Sequence, residues 1–126
     1  MSRKVLAVVG TLVVALAAAA STASGGATVP AKQSATYKIV LVAGIASDAF
    51  YLTMKKGAQA EAKKLGATVE FTGSPEAFSP PTQIPFLNAA IAKKPDAILI
   101  APTDKSALIA PIQRAVDAGI PVITVD

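Results

Sequence analysis

An α/β fold, a Rossmann-like three-layer α/β/α sandwich on a parallel sheet, is predicted for residues 37–126. Three observations predict it. Four short apolar runs rich in β-branched residues begin near Ile39, Thr68, Ala97 and Pro121. Their starts are spaced by 29, 29 and 24 residues, which leaves room for the crossover helix that parallel neighbours need. The intervals between them carry apolar residues at helical spacing.

Each element has its own signals. Residues 38–43 (Lys-Ile-Val-Leu-Val-Ala) form a continuous apolar run, as in a strand covered on both faces. A loop follows over residues 44–47, and Asp48 can cap the next helix by accepting from free backbone N–H groups. In residues 49–65, Phe50, Met54, Ala58, Ala62 and Leu65 share one helical face, and Gly66 is a suitable stop. Residues 68–72 read as the second strand and residues 73–81 as a proline-rich loop. The second helix is expected over residues 82–92, with Ile84, Leu87 and Ile91 inward and Pro85 early enough for its missing N–H to cost little. Residues 97–101 are the third strand and Pro102-Thr103-Asp104 a turn. Residues 106–118 read as the third helix, with Ala107, Ile109, Ile112 and Val116 inward. Pro111 there marks either a kink or a late start. Gly119 ends the helix, and residues 121–125 form a fourth strand leading to Asp126.

Three domains of use are expected: a signal peptide at 1–23, a linker at 24–36 and the folded lobe at 37–126. Arg3 and Lys4 precede an apolar stretch from Val5 to Ala20, and small residues surround Ser21-Thr22-Ala23. That is the layout of a secretory signal with cleavage near residue 23. The apolar run falls short of the roughly 20 residues that span a bilayer. The chain has no cysteine, so no disulfide and no lipid-modified cysteine is available. The exported product is therefore expected to be soluble, in the periplasm or cell envelope.

Composition also excludes chemistry. No histidine is present, which removes imidazole metal sites and histidine-based acid–base catalysis. There is no G-x-x-x-x-G-K loop, no G-x-G-x-x-G turn and no G-x-S-x-G elbow. No cofactor, no metal and no catalytic residue are expected, and the chain is read as non-enzymatic. Outside Arg3 and Lys4 there remain 10 basic and 8 acidic residues, too even a balance to argue for nucleic acid. Asp48, Asp104 and Asp126 follow strands one, three and four, at the edge where open α/β sheets bind ligands. Such a trio could hold a divalent ion in a receiver-type domain, but the accompanying lysine is missing and the signal sequence argues against that class.

The loop Ser47-Asp48-Ala49-Phe50-Tyr51 is the most informative segment. It places a carboxylate beside two aromatics at a helix entrance, a mixture suited to sugars. Aromatic faces meet C–H surfaces while carboxylates accept from hydroxyls. Asp48, Phe50, Tyr51 and Asp126 are the candidate ligand-binding residues, with Gly44, Ser47 and Asp104 at the edge of the same site. The competing structural roles are a cap for Asp48 and a core position for Phe50.

Those residues carry a resemblance. Lys38-Ile39-Val40-Leu41-Val42, Asp48-Ala49-Phe50-Tyr51, Lys56-Gly57-Ala58-Gln59-Ala60-Glu61-Ala62, Leu65-Gly66, Lys94-Pro95-Asp96-Ala97-Ile98-Leu99-Ile100, Pro102-Thr103-Asp104 and the closing stretch from Ala115 to Asp126 are similar to the amino-terminal lobe of type I periplasmic sugar-binding proteins, the ribose-binding group. The resemblance implies an exported solute receptor of an ABC importer, whose two lobes close on a monosaccharide or similar polar solute, with an ABC permease as membrane partner. It implies that Asp48 stands where the family's loop has Asn, that Phe50 and Tyr51 flank the sugar, and that Asp126 matches the family's Asp after strand four. An Asp at position 48 accepts hydroxyl protons but lacks the amide donor, which argues against ribose itself.

The resemblance covers the first lobe alone, so the sequence reads as the first half of a binding protein, and one lobe by itself is expected to bind weakly or not at all. A free-standing extracytoplasmic sensor or chemoreceptor domain, and a non-binding remnant, are the alternative readings. A lactose-repressor-type regulator shares this lobe but needs an N-terminal helix-turn-helix.

Overall fold

The computed structural model describes residues 36–126. The signal peptide and nearly all of the linker expected at 1–36 lie outside the described residues. The described chain alternates strand and helix: β1 (Lys38–Ala43), α1 (Ala49–Lys64), β2 (Thr68–Gly73), α2 (Pro80–Ala92), β3 (Ala97–Ile100), α3 (Ile109–Asp117) and β4 (Val122–Thr124). The four strands form one parallel sheet in the order β2-β1-β3-β4. Leu41 stands opposite both Phe71 and Leu99, and Leu99 opposite Ile123.

Chain order explains the layering. The connection from β1 to β2 runs one way across the sheet, and those from β2 to β3 and β3 to β4 run the other way. Crossovers of one hand must then place α1 on one face and α2 with α3 on the opposite face. The packing agrees. Val40, Val42, Ile98 and Ile100 bury against Leu87 and Ala90 of α2 and against Leu108 and Ala115 beside and within α3. Ala43 and Ala101 pack instead with Tyr51 of α1. Each fully buried Leu or Ile contributes about 1.5–3 kcal/mol. The central strand β1 is buried along its last four residues, whereas edge strand β2 alternates between exposed and half-buried over its first four residues and is buried only at Gly73. At the other edge Ile123 is 56% exposed on the α1 side, because α1 covers β1 and β2 and stops short of β4.

The strands match their expected positions closely, and Ile84, Leu87 and Ile91 of α2 and Ile112 of α3 lie against the core as expected; other helical positions differ. In α1 the buried residues are Tyr51 and Ala62, with Met54 and Ala58 half-buried. Phe50 and Leu65 are 55% and 72% exposed. Met54, Ala58 and Ala62 are thus inward as expected, while Tyr51 takes the place of Phe50 at the leading end and Leu65 drops out at the other. Tyr51 can bury its ring because its hydroxyl reaches a polar partner at the sheet edge. In α2 the helix opens on Pro80 and Pro81, two residues before the expected start, so Pro85 lies inside the helix rather than in its first turn. It is tolerated on the solvent side. In α3 Pro111 marks a late start, not a kink: residues 105–108 are turns and the helix begins at Ile109. Leu108, Pro111 and Ala115 face inward, and Ile109 and Val116 are exposed. A proline in the first helical turn lacks an N–H that would have had no helical partner there.

Candidate functional site

In sheet order, β1 and β3 are the neighbours at which the connections reverse direction. The crevice beyond their carboxyl ends is the general ligand position of open α/β sheets. Gln83 of α2 fixes that crevice. It is completely buried, and its Nε2 donates to the Ala43 carbonyl at 3.2 Å and the Ala101 carbonyl at 2.7 Å. Its Oε1 accepts from the Thr103 N–H and from Oγ1 of Thr103, both at 2.9 Å. One side chain thereby ties the ends of β1 and β3 to the turn leading to Asp104. The signal for it in the sequence is a polar residue in the buried register of α2, four positions before Leu87.

The loop after β1 is held on both sides. The Asp48 carboxylate accepts from the Phe50 N–H at 2.8 Å and caps α1. The Ser47 hydroxyl donates to the Pro75 carbonyl at 2.6 Å, and the Ala46 N–H to the Ser74 carbonyl at 2.7 Å. Ser47 is therefore committed to positioning the neighbouring loop after β2. Asp48 is exposed and caps through one oxygen, which leaves the other open to solvent.

Phe50 and Tyr51 meet edge to face, with ring centroids 5.2 Å apart. They have different environments: Phe50 projects into solvent, while Tyr51 is 6% exposed. The Tyr51 hydroxyl donates to Oδ2 of Asp126 at 3.2 Å, joining the start of α1 to the end of β4. The phenol is held above its ordinary titration range, first by burial, then by the charge of Asp126 and the hydrogen bond to it, and last by the charge of Asp48. Gly44 lies beneath this pair. A Cβ at Gly44 would sit 2.7 Å from the Tyr51 hydroxyl and 2.5 Å from the ring of Phe78. Phe78, in the loop after β2, was not among the residues singled out from sequence. Its signal is a lone aromatic in a polar, proline-rich loop after a strand.

Asp104 is turned toward its own loop. Its Oδ1 accepts from the N–H groups of Ser106 and Ala107 at 2.7 and 2.6 Å, and these bonds hold its carboxyl below the ordinary range. It meets Asp126 across a cleft of about 470 Å³, floored by Leu108 and Ile112 and bordered by Lys105 and Thr124. Asp126 therefore borders two spaces, the aromatic edge around Tyr51 and the cleft beside β4. Among the described residues no three acidic side chains gather closely enough to hold a metal ion.

This arrangement offers hydroxyl-accepting carboxylates (Asp48, Asp126), an exposed aromatic face (Phe50) and backbone at close range (Gly44). Residues 39–126 match the model of the periplasmic binding protein domain. The chain belongs to the periplasmic binding protein family, in its type I sugar-binding group. The D-ribose/D-allose-binding protein of Pseudomonas aeruginosa is 34% identical over 71% of this chain and 28% of its own length. The ribose import binding protein of Escherichia coli is 33% identical over 88% of this chain and 37% of its own. Among solved structures, an ABC transporter solute-binding protein of Agrobacterium vitis bound with α-D-tagatopyranose is 57% identical. It superposes with a TM-score of 0.70 over 72% of this chain and 30% of its own. The chain spans about three-tenths of the length of these relatives. The periplasmic binding proteins it resembles are substrate-binding proteins rather than enzymes, in line with the non-enzymatic reading. Among the described residues, no helix is long and apolar enough to cross a membrane.

Proposed function

We propose that this periplasmic binding protein domain is the first lobe of an extracytoplasmic receptor that captures a monosaccharide or similar polar solute for an ABC importer. The observation that carries the reading is the Tyr51–Asp126 pair over Gly44, at the switch point of the sheet and beside the exposed ring of Phe50. In this reading Phe50 meets the C–H face of the ring, while Asp48 and Asp126 accept from its hydroxyls. Charge-assisted hydrogen bonds of this kind exceed neutral ones in strength. Tyr51 orients the Asp126 carboxylate and leaves its other oxygen for the solute.

The sugar class and the importer partnership come from the relatives, whose named solutes are ribose, allose and tagatopyranose. Export rests on the amino-terminal pattern over residues 1–23. Terminal sequencing of the secreted product is expected to begin near residue 24. A mature product that retains Met1 contradicts export with cleavage.

The reading is tested by thermal unfolding of the purified chain with D-ribose, D-allose and D-tagatose, each at tens of millimolar. A ligand that binds only the native state stabilises it by mass action. The midpoint is expected to rise with at least one sugar and to stop responding in Asp126→Ala. No response to any of the three overturns the reading.

A further inference from the structure

We infer that Phe78 is a further wall of the sugar site and sets its preference for ring-closed sugars. The inference rests on the sugar-binding reading above and deepens it. Of the four phenylalanines in the chain, Phe86 and Phe71 pack against the two core clusters. The other two, Phe50 and Phe78, are 55% and 52% exposed, and both stand at the carboxyl edge of the sheet. The core covers neither of these rings, so both present apolar surface at this edge.

Phe78 is held in place on both sides. Ser74 is buried, and its hydroxyl accepts from the N–H groups of Glu76 and Ala77 at 3.3 and 3.2 Å. The Thr82 hydroxyl donates to the Ala77 carbonyl at 3.0 Å. Ser47 and Ala46 bind the Pro75 and Ser74 carbonyls from the loop after β1. The ring lies over the backbone of Gly44: its Cε2 and Cδ2 are 2.5 and 2.7 Å from where a Cβ would be, and the Tyr51 hydroxyl is 2.7 Å from the same point. Phe78 therefore borders the hydroxyl that binds Asp126. A loop held in place before the solute arrives costs little ordering entropy on binding. Beside a carboxylate and a phenol Phe78 presents an apolar face, which matches a pyranose with its C–H side toward the ring and its hydroxyls toward Asp126. An acyclic polyol has no such flat C–H face.

The test compares D-allose with acyclic sorbitol by NMR titration of the wild-type chain, Phe78→Leu and Phe78→Tyr. Leucine keeps apolar cover over Gly44 and removes the aromatic face; tyrosine retains that face. Wild type is expected to prefer D-allose. Phe78→Leu is expected to weaken D-allose by about 3- to 10-fold, the size of an aromatic contact, and to erase the preference over sorbitol. Phe78→Tyr is expected to keep both. Binding by wild type that Phe78→Leu leaves unchanged overturns the role of Phe78 and spares the sugar reading. Binding of neither compound by wild type overturns the sugar reading, and this inference with it.

Discussion

Tyr51 carries two roles that the sequence could not separate. Its ring belongs to the α1-side core and its hydroxyl to the carboxyl edge. Helical spacing placed Phe50 inward because both residues are aromatic and one step apart. The structure prefers to bury the side chain whose polar tip has a partner. The raised phenol range gives a sign. Folding favours protonated Tyr51, so its contribution is complete below the ordinary phenol range and is lost as pH rises through the raised one. Tyr37 and Tyr51 are the two tyrosines of the chain. In a Tyr37→Phe background, phenolate absorbance is expected to report Tyr51 alone. Asp126→Asn is expected to move that titration part of the way down, since burial remains. An unmoved titration contradicts the contact. Gln83 is a second case at this scale. Gln83→Leu leaves the carbonyls of Ala43 and Ala101 buried without their side-chain donor, and is expected to cost about 2–4 kcal/mol in urea unfolding. A cost within about 0.5 kcal/mol shows that Gln83 does not hold the strand ends.

Among the elements, the strands were the most legible. A continuous β-branched run buried on both faces has few other readings, and β1, β3 and β4 fall where such runs occur. The helices were less so. An apolar stripe broad enough to be read in two registers does not fix which residue leads, as in α1 and α3. The start of α2 was hidden by Pro80 and Pro81, which look like loop but suit the first helical positions. The candidate site was legible where it coincides with a helix cap or a strand end, at Asp48 and Asp126. It was not legible at Phe78 and Gln83, because the contacts that give them meaning come from residues 18 to 40 positions away. The observed cap and the proposed sugar contact of Asp48 can be separated by substitution. Asp48→Ala is expected to cost about 1 kcal/mol of stability through the lost cap and also to weaken sugar binding. Asp48→Asn keeps a capping acceptor, so stability is expected to hold while the order of preference among ribose, allose and tagatose changes. Equal losses of stability in both variants contradict the capping role.

For the molecule as a whole, the sheet order gathers the loops after β1, β2, β3 and β4 at one edge, and in the proposed reading that edge is one wall of the site. A wall buries a small part of a solute, whereas a pocket encloses most of it. The domain by itself is therefore expected to bind sugar weakly, with a Kd of about 1–10 millimolar. The most direct test is amide NMR mapping of the chain titrated with D-tagatose. The account predicts shifts confined to the carboxyl edge: residues 44–51, 74–78, 101–104 and 124–126, with the opposite edge around Lys38, Thr68 and Pro95 unmoved. Shifts centred elsewhere, or none at tens of millimolar sugar, contradict it.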